Sequence, residues 1–524
     1  MPRLRTAAVV GLAAVPLLGG AFMLQPRATR DSAQLFGQVL ELVSSRFVDT
    51  VDTGALYEKA ARGLVEQLDD PYAALYSPKE LRDFTATTGG RYGGIGMLVE
   101  DQEGVHVISR VFPNTPAAEA GIMEGDRIVA VDTATVRGWK LDKVTDALKG
   151  VPGTAVMVTF AREGVAQPIK AKFTRAIIRI PAVPYAIMLD GGIGYIPLLQ
   201  FNETASEEMR DALLRLRKEG ARGIVLDFRG NGGGMVDEAL TISNYFLPQG
   251  AELMSTRGRA APPQRFEAAE RPIVPATPLV VLTDGGTASA SEIVAGALQD
   301  HDRALIVGTT SFGKGLEQSL FRLDGGYALK LTTAKWYTPS GRSIHRDRKL
   351  VDGRLIEVKP DSLENDSVKK SRPVFKSDAG RVVYGGGGIT PDVIVRPDTL
   401  TDAEQAFVKA VSPKSQQLYL TLYRYAFELK SQVKPDFTVQ PAWREELYRR
   451  LQAAGVTVDR ATYDAASRYV NEMLENRVAH FAFGDSTVRR RSVSEDTQLA
   501  RAVALLKSGQ TQQDLFQVAR REEH

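Results

Sequence analysis

Three uninterrupted apolar runs constrain this chain more than any other feature: Ile224-Val225-Leu226, Leu279-Val280-Val281-Leu282 and Ala304-Leu305-Ile306-Val307. A strand that is apolar at every position has to be buried on both faces. A charged helical stretch runs from Thr204 to Glu219 and a small-residue one from Ser291 to Asp300, so strands alternate with helices. That alternation predicts a sheet with helices on both faces, and such sheets commonly carry their site at strand ends. The loops that follow the runs are rich in small residues: Asp227-Phe228-Arg229-Gly230-Asn231-Gly232-Gly233-Gly234, Thr287-Ala288-Ser289-Ala290-Ser291 and Phe312-Gly313-Lys314-Gly315.

A serine hydroxyl is a poor nucleophile until a neighbouring base takes its proton. Ser289 and Ser291 both stand at the mouth of a helix. With no cysteine in the chain, a thiol nucleophile, a disulfide framework and a cysteine zinc site are all excluded. Of the five histidines only His301, at the far end of the helix after Ser289, lies near a serine. A histidine at a helix C-terminus is favoured by the dipole alone, and that structural role is the preferred reading. No Gly-x-Ser-x-Gly elbow surrounds Ser289, so the α/β-hydrolase pattern is missing. Lysine can serve instead if it is held neutral, because burial disfavours the ammonium. Lys314 sits between two glycines, where the backbone can turn tightly and deliver the amine. The glycine loop at 230–234 leaves backbone N–H groups unshielded, and preorganised donors of that kind contribute about 3 kcal/mol each to oxyanion stabilisation.

Two short matches are decoys. Gly308 to Lys314 fits the opening of a phosphate-binding loop, but Gly315 stands where Ser or Thr should hold magnesium. The following Leu320–Leu323 and Tyr327–Leu331 read as strands and not as the required helix. Ser367-Val368-Lys369-Lys370 fits Ser-x-x-Lys, but lies in a charged interval with no buried helix to support it. No cofactor and no metal set is expected.

At 524 residues the chain exceeds one core. Its fold class is multidomain α+β/α/β. Residues 1–28 carry Arg3 and Arg5, an apolar run from Thr6 to Leu24 and a polar end, which reads as a signal peptide or a signal anchor. The rest then works outside the cytoplasm, in the periplasm or cell envelope, with a membrane anchor if the signal is retained. Residues 29–86 repeat apolar positions at helical spacing: Leu35, Val39, Leu42 and Val43, then Leu56, Ala60, Leu64 and Leu68. Residues 87–178 change to short strands punctuated by glycine. Residues 179–400 hold the helix-covered mixed sheet. Within them the interval 345–384 is charged and predicts an exposed, mobile insertion. Residues 401–524 are helical, with Leu418, Leu422, Tyr425 and Leu429 on one face, then Trp443, Leu447 and Leu451. The net charge of +3 demands no nucleic-acid partner.

The segment Thr287-Ala288-Ser289-Ala290-Ser291-Glu292-Ile293 through Asp300, together with Gly308 through Gln318, resembles the C-terminal processing peptidases, or tail-specific proteases. The resemblance runs from about Leu35 to Val395. It implies that Ser289 is the nucleophile, that Lys314 is the general base and that Gln318 orients the lysine. It also implies that the amides of Gly233 and Ala290 form the oxyanion hole. Glu292 reads as an accessory residue of the site or, preferentially, as a stabiliser of its helix N-terminus. Residues Gly89 to Arg175 resemble a PDZ domain inserted before the core. Gly94, Ile95, Gly96 and Met97 match the loop that binds a free carboxylate, which implies capture of unstructured C-terminal tails of protein substrates. The chain departs from the family at Gly230-Asn231-Gly232, where Asn-Asn-Pro is usual. It departs again in its helical region beyond Leu400, expected to mediate oligomerisation, bind an adaptor or gate the site. The competing expectation is a catalytically silent PDZ-containing envelope scaffold on the same fold.

Overall fold

The all-apolar strands stack side by side because only the interior of a sheet covers both their faces. In the computed structural model, which describes residues 27–102, 104–162, 164–351, 354–357 and 372–522, six strands lie in the order Ile187–Leu189, Ile193–Pro197, Gly223–Asp227, Leu279–Thr283, Leu305–Gly308 and Val393–Ile394. The first pair is antiparallel and the others are parallel, with Val225 opposite Val280 and Val281 opposite Ile306. Alternate side chains point to opposite faces. Ile224, Leu226, Val281 and Ile306 meet the helices Ala205–Lys218, Val236–Asn244 and Ala290–Asp300 on one face.

On the other face Val225, Val280, Leu282, Leu305 and Val307 are covered by Leu499, Val503, Leu506, Leu515 and Phe516 of the helices Thr497–Ser508 and Gln512–Glu522. The segment expected as one helical domain, 401–524, is thereby divided in its packing. Its first part, with the helices Asp402–Val411, Ser415–Leu429, Pro441–Ala453 and Ser467–Phe483, encloses its own core of Phe407, Leu422, Leu447, Tyr463 and Leu474. Its last two helices belong to the central sheet.

The small domain has a sheet in the order Met97–Gln102, Val105–Val111, Arg127–Val131, Ala155–Ala161 and Ile169–Thr174, with the helix Leu141–Leu148 packed on it. Met97–Gln102 forms an edge. The contacts of this domain with the helical part are ionic and aromatic. Asp485 pairs with Arg110, and His480 places Nδ1 2.7 Å from Asp485 Oδ1 and Nε2 3.6 Å from Glu124 Oε1. Arg477 approaches Glu124 at 3.8 Å.

The insertion is not exposed throughout. Val374–Lys376 and Val382–Tyr384 form a hairpin, Arg372 and Val383 are buried, and Arg381 is partly covered. Arg381 pairs with Asp302 and Asp392, and Arg372 Nη1 donates to Thr390 Oγ1 at 3.0 Å. Among the described residues of this interval, Arg381 meets two carboxylates inside the protein, which compensates its charge away from water.

The described residues fall into two units, and the second is made of the described residues up to Ser77 with Ser319–Thr332 and Lys349–Leu355. It carries the expected helices, Arg27–Arg46 and Thr53–Glu66, the latter capped by Asp52, whose Oδ1 accepts the Ala55 amide at 2.7 Å. Its strand Ala74–Tyr76 pairs antiparallel with residues 328–330. The apolar stripe Leu35, Val39 and Leu42 is exposed and not buried. The signal expected at 1–28 lies outside the described residues except at its last two positions. No described helix is long and apolar enough to cross a membrane.

Two outcomes are expected. Leu499 is fully buried against the sheet. Leu499→Ala should therefore lower unfolding free energy by about 2–5 kcal/mol in a urea titration, as a cavity in a close-packed core does. His480 has its pKa raised to about 9, first by the Asp485 hydrogen bond and then by Glu124. A raised value means that the stabilisation is complete below the ordinary 6.5 and is lost as pH rises through about 9. His480→Gln should thus melt about 2–4 °C below the parent at neutral pH. That gap should close above pH 9 when melting is followed by fluorescence.

Candidate active site

The strand-end loops converge through hydrogen bonds that their sequences make possible. Ser289 stands at the N-terminus of the helix Ala290–Asp300 with φ 55° and ψ −115°. Positive φ in a residue with a side chain costs about 1–3 kcal/mol, and it persists only where its surroundings fix it. Here they do. The Ala288 amide donates to the Asn231 carbonyl at 2.9 Å, the Phe312 amide donates to the Thr287 carbonyl at 2.8 Å, and Thr287 Oγ1 donates to the Phe228 carbonyl at 2.8 Å.

Glu292 completes the arrangement. Its side chain is fully buried, and its Oε2 accepts the amides of both Ser289 and Lys314 at 2.8 Å each. The two amide nitrogens are therefore no further apart than twice that distance. Oε1 accepts the Gly313 amide at 2.6 Å and the Ser311 hydroxyl. Burial pushes the Glu292 carboxyl up, and the four donors oppose that rise. The Ser311 Oγ in turn accepts the Ile389 amide at 2.7 Å.

The two serines separate clearly. Ser291 is fully buried, and its hydroxyl donates to the Asn231 carbonyl at 3.0 Å, so it fastens the helix to the glycine loop. Ser289 is only half-buried. Lys314 is also half-buried; its carbonyl accepts Trp336 Nε1 at 3.1 Å, and the flanking Gly313 and Gly315 carbonyls accept the Arg346 and Trp336 amides. Gln318 lies on the strand Leu316–Arg322. That strand stands where a phosphate-binding loop would need a helix. His301 caps the far end of the serine helix, about 18 Å from Ser289 by helical rise. Its Nδ1 is 2.7 Å from Asp378 Oδ2 and its Nε2 is 2.7 Å from the Glu252 carbonyl, so both ring nitrogens are engaged structurally.

The glycine loop lies directly on the serine. A Cβ built on Gly233, whose φ is 93°, would sit 2.8 Å from Ser289 Cβ, 2.8 Å from the Ala290 nitrogen and 2.7 Å from the Ala288 carbonyl. The Ala290 N–H has no acceptor among the described residues. The Gly233 N–H differs: it donates to Asn231 Oδ1 at 2.9 Å. One expected oxyanion donor is thus open and the other is engaged.

Two residues that sequence reasoning left without a role hold the base of this loop. Asp227 accepts Tyr195 Oη at 2.7 Å and Arg229 Nη2 at 2.6 Å. Their signal was the charged pair flanking Phe228 at the end of an apolar strand.

In the small domain the amides of Ile95 and Gly96 have no internal acceptor among the described residues, while both carbonyls are used, by Ala117 and Phe112. Gly94 is paired with Ala176 in a short ribbon, and the Met97 side chain is buried in the domain core. Two adjacent open amides beside an edge strand can bind a carboxylate and extend it as an added strand. Gly96, at φ 89°, admits no side chain, because a Cβ would lie 2.3 Å from Thr115 Cβ.

A half-buried serine at a strand end of a helix-covered sheet, in a chain with a small β-domain before it, is a layout that a multidomain serine-type peptidase can use. The sequence model of peptidase family S41 matches residues 192–362, that of the PDZ domain matches 107–162, and that of the activating protease CtpB N-terminal domain matches 24–80. The carboxy-terminal-processing protease of Bartonella bacilliformis is 39% identical over 314 residues, covering 59% of this chain and 71% of that one. The carboxy-terminal processing protease CtpA of Bacillus subtilis is 33% identical over 345 residues, covering 65% and 73%. Among solved structures, a photosystem II D1 C-terminal processing protease aligns over 63% of this chain and 92% of its own, at 30% identity and a TM-score of 0.36. The sequence relatives carry the assignment: the chain belongs to the carboxy-terminal processing protease family, peptidase family S41, and bears a PDZ domain.

Gly233→Ala should lower peptidase activity by about 100-fold, because the new Cβ displaces the loop from Ser289. Gly285→Ala, where a Cβ meets nothing within 4 Å, should leave activity near that of the parent in the same peptide-cleavage assay.

Proposed function

We propose that this chain is an exported serine endopeptidase that cleaves through a Ser289–Lys314 pair and selects substrates by their C-terminal tails. Ser289 Oγ attacks the scissile carbonyl and passes its proton to Lys314 Nζ. Collapse of the tetrahedral intermediate expels the amine, which takes that proton, and leaves an acyl-enzyme on Ser289. Water then attacks the ester, giving its proton to Lys314 and restoring the serine. The Ala290 amide and one amide of the 232–233 turn stabilise the oxyanion, and Gln318 orients the lysine.

The observation that carries this reading is the shared Glu292 oxygen, which brings the backbones of Ser289 and Lys314 together while Ser291 and His301 are committed elsewhere. Export rests on the sequence of residues 1–28 alone. Tail capture is supported by the open amides of Ile95 and Gly96.

With a disordered polypeptide as substrate, Ser289→Ala and Lys314→Ala should each lower kcat by about 1000-fold or more. Parent-like digestion by both variants would end the proposal. Amidating the substrate C-terminus should raise KM by about 10-fold or more, since charge-assisted hydrogen bonds to the carboxylate are lost. An unchanged KM would remove carboxylate capture.

A further inference from the structure

The helices beyond residue 395 lie outside the residues matched by the peptidase family model, which end at 362. One side chain from that tail nevertheless reaches the loop beside Ser289. Asp496 precedes the helix Thr497–Ser508 and caps it, its Oδ1 accepting the Leu499 amide at 3.0 Å. The same carboxylate receives a fork from Arg229, with Nη1 on Oδ1 and Nη2 on Oδ2, each at 2.8 Å. Gln498 Oε1 takes Arg229 Nη1 as well, at 3.0 Å, and Arg489 Nη1 reaches Asp496 Oδ2 at 3.0 Å. On its other side Arg229 is held by Asp227, through Nε on Oδ1 at 2.9 Å and Nη2 on Oδ2 at 2.6 Å.

The connection from Arg229 to the reaction centre is short. The next residue, Gly230, donates its amide to Asp284 Oδ1 at 2.9 Å, and that same oxygen accepts the Gly286 and Thr287 amides of the serine segment. Two residues on, the Asn231 carbonyl accepts the Ala288 amide and the Ser291 hydroxyl. Two further on, Gly233 touches Ser289. Burial pushes the Asp496 carboxyl up, but the Arg229 guanidinium and the Leu499 amide bring it below its usual range, so it is charged at neutral pH.

We propose that Asp496 is a positioning residue of the peptidase: from the helical tail it locks Arg229, and through Arg229 it fixes the 230–233 loop against Ser289. The tail thus completes the active site in cis. A buried ion pair is poor evidence of net stability, since apolar side chains of similar volume often serve as well. What a bidentate fork supplies is a fixed geometry. Catalysis by preorganised donors is sensitive to that geometry, and a displacement of about 1 Å can cost about 100-fold.

The inference rests on the assignment of Ser289 as nucleophile, and the test separates the two. Full-length Asp496→Asn keeps an oxygen for the helix cap and breaks the fork; Asp496→Ser keeps a good cap and removes the fork altogether. For each, kcat and KM on a tail-bearing polypeptide, the rate and final extent of labelling by a fluorophosphonate, and the melting temperature are measured beside the parent and Ser289→Ala. The expected result is a fall in kcat and in labelling rate by about 10- to 100-fold, with KM, final labelled fraction and melting temperature held. Parent-like kcat and labelling rate in a folded variant would overturn the proposal. So would a loss of activity matched by a loss of labelled fraction and of melting temperature, which is the mark of simple destabilisation. If Ser289→Ala still cleaves and labels, it is the nucleophile assignment that falls.

Discussion

The arrangement at the strand ends depends on one buried carboxylate. Glu292 is taken out of water entirely, a cost that a carboxylate can meet only by filling its lone pairs. It does so with four donors, from Ser289, Ser311, Gly313 and Lys314. Because these belong to two loops, satisfying Glu292 and bringing the serine and lysine loops together are the same event. The strained backbone at Ser289 is held by this bond and by the Asn231 and Phe312 contacts, so distortion at the serine is offset by order around it.

The sheet beneath gives those loops a common edge. Parallel strands end their runs on the same side, which places the loops after Asp227, Thr283 and Gly308 together. Such a sheet needs cover on both faces, and the chain supplies the second cover from its far end, through Leu499, Val503, Leu506 and Phe516. The tail is therefore part of the peptidase core by packing, and through Asp496 it also reaches the glycine loop. The adjoining helices 402–483 form a separate apolar core and meet the PDZ domain through charges and aromatic rings.

Local signals in the sequence survive well where one element decides the outcome. The apolar runs are strands, the Ser291 to Asp300 stretch is a helix, and the segment after Gly315 is a strand, as the rejection of a phosphate-binding loop requires. The stripes at Leu422, Tyr425 and Leu429 are core packing. Signals that depend on a distant partner were not legible. Glu292 read as a helix-end stabiliser, and it does accept the Ser289 amide there; its tie to the lysine loop was hidden because Ser311 and Gly313 are 19 and 21 residues away. Charge in the interval 345–384 suggested solvent, yet Arg381 is turned inward because Asp302 and Asp392 meet it there. The Leu35 stripe has the right period and still lies exposed, since periodicity marks a helix and not what covers it.

By itself the sequence determined the family, the order of elements, the PDZ insertion and the strand-end loops that can hold a serine, a lysine and an oxyanion. The elements and loops follow from residue type and short-range spacing, which the chain carries in one dimension; the family and the PDZ insertion follow from the resemblance of whole segments to known relatives. Only the tertiary structure gave Ser291's hydroxyl to the Asn231 carbonyl while leaving Ser289 half-buried, and only it engaged the Gly233 amide with a side chain while leaving Ala290's open. It alone joined Asp496 to Arg229, 267 residues apart. Hydrogen-bond satisfaction in a buried interior is a property of neighbours in space, and no short window of sequence holds both partners of the Ser291–Asn231 or the Arg229–Asp496 bond.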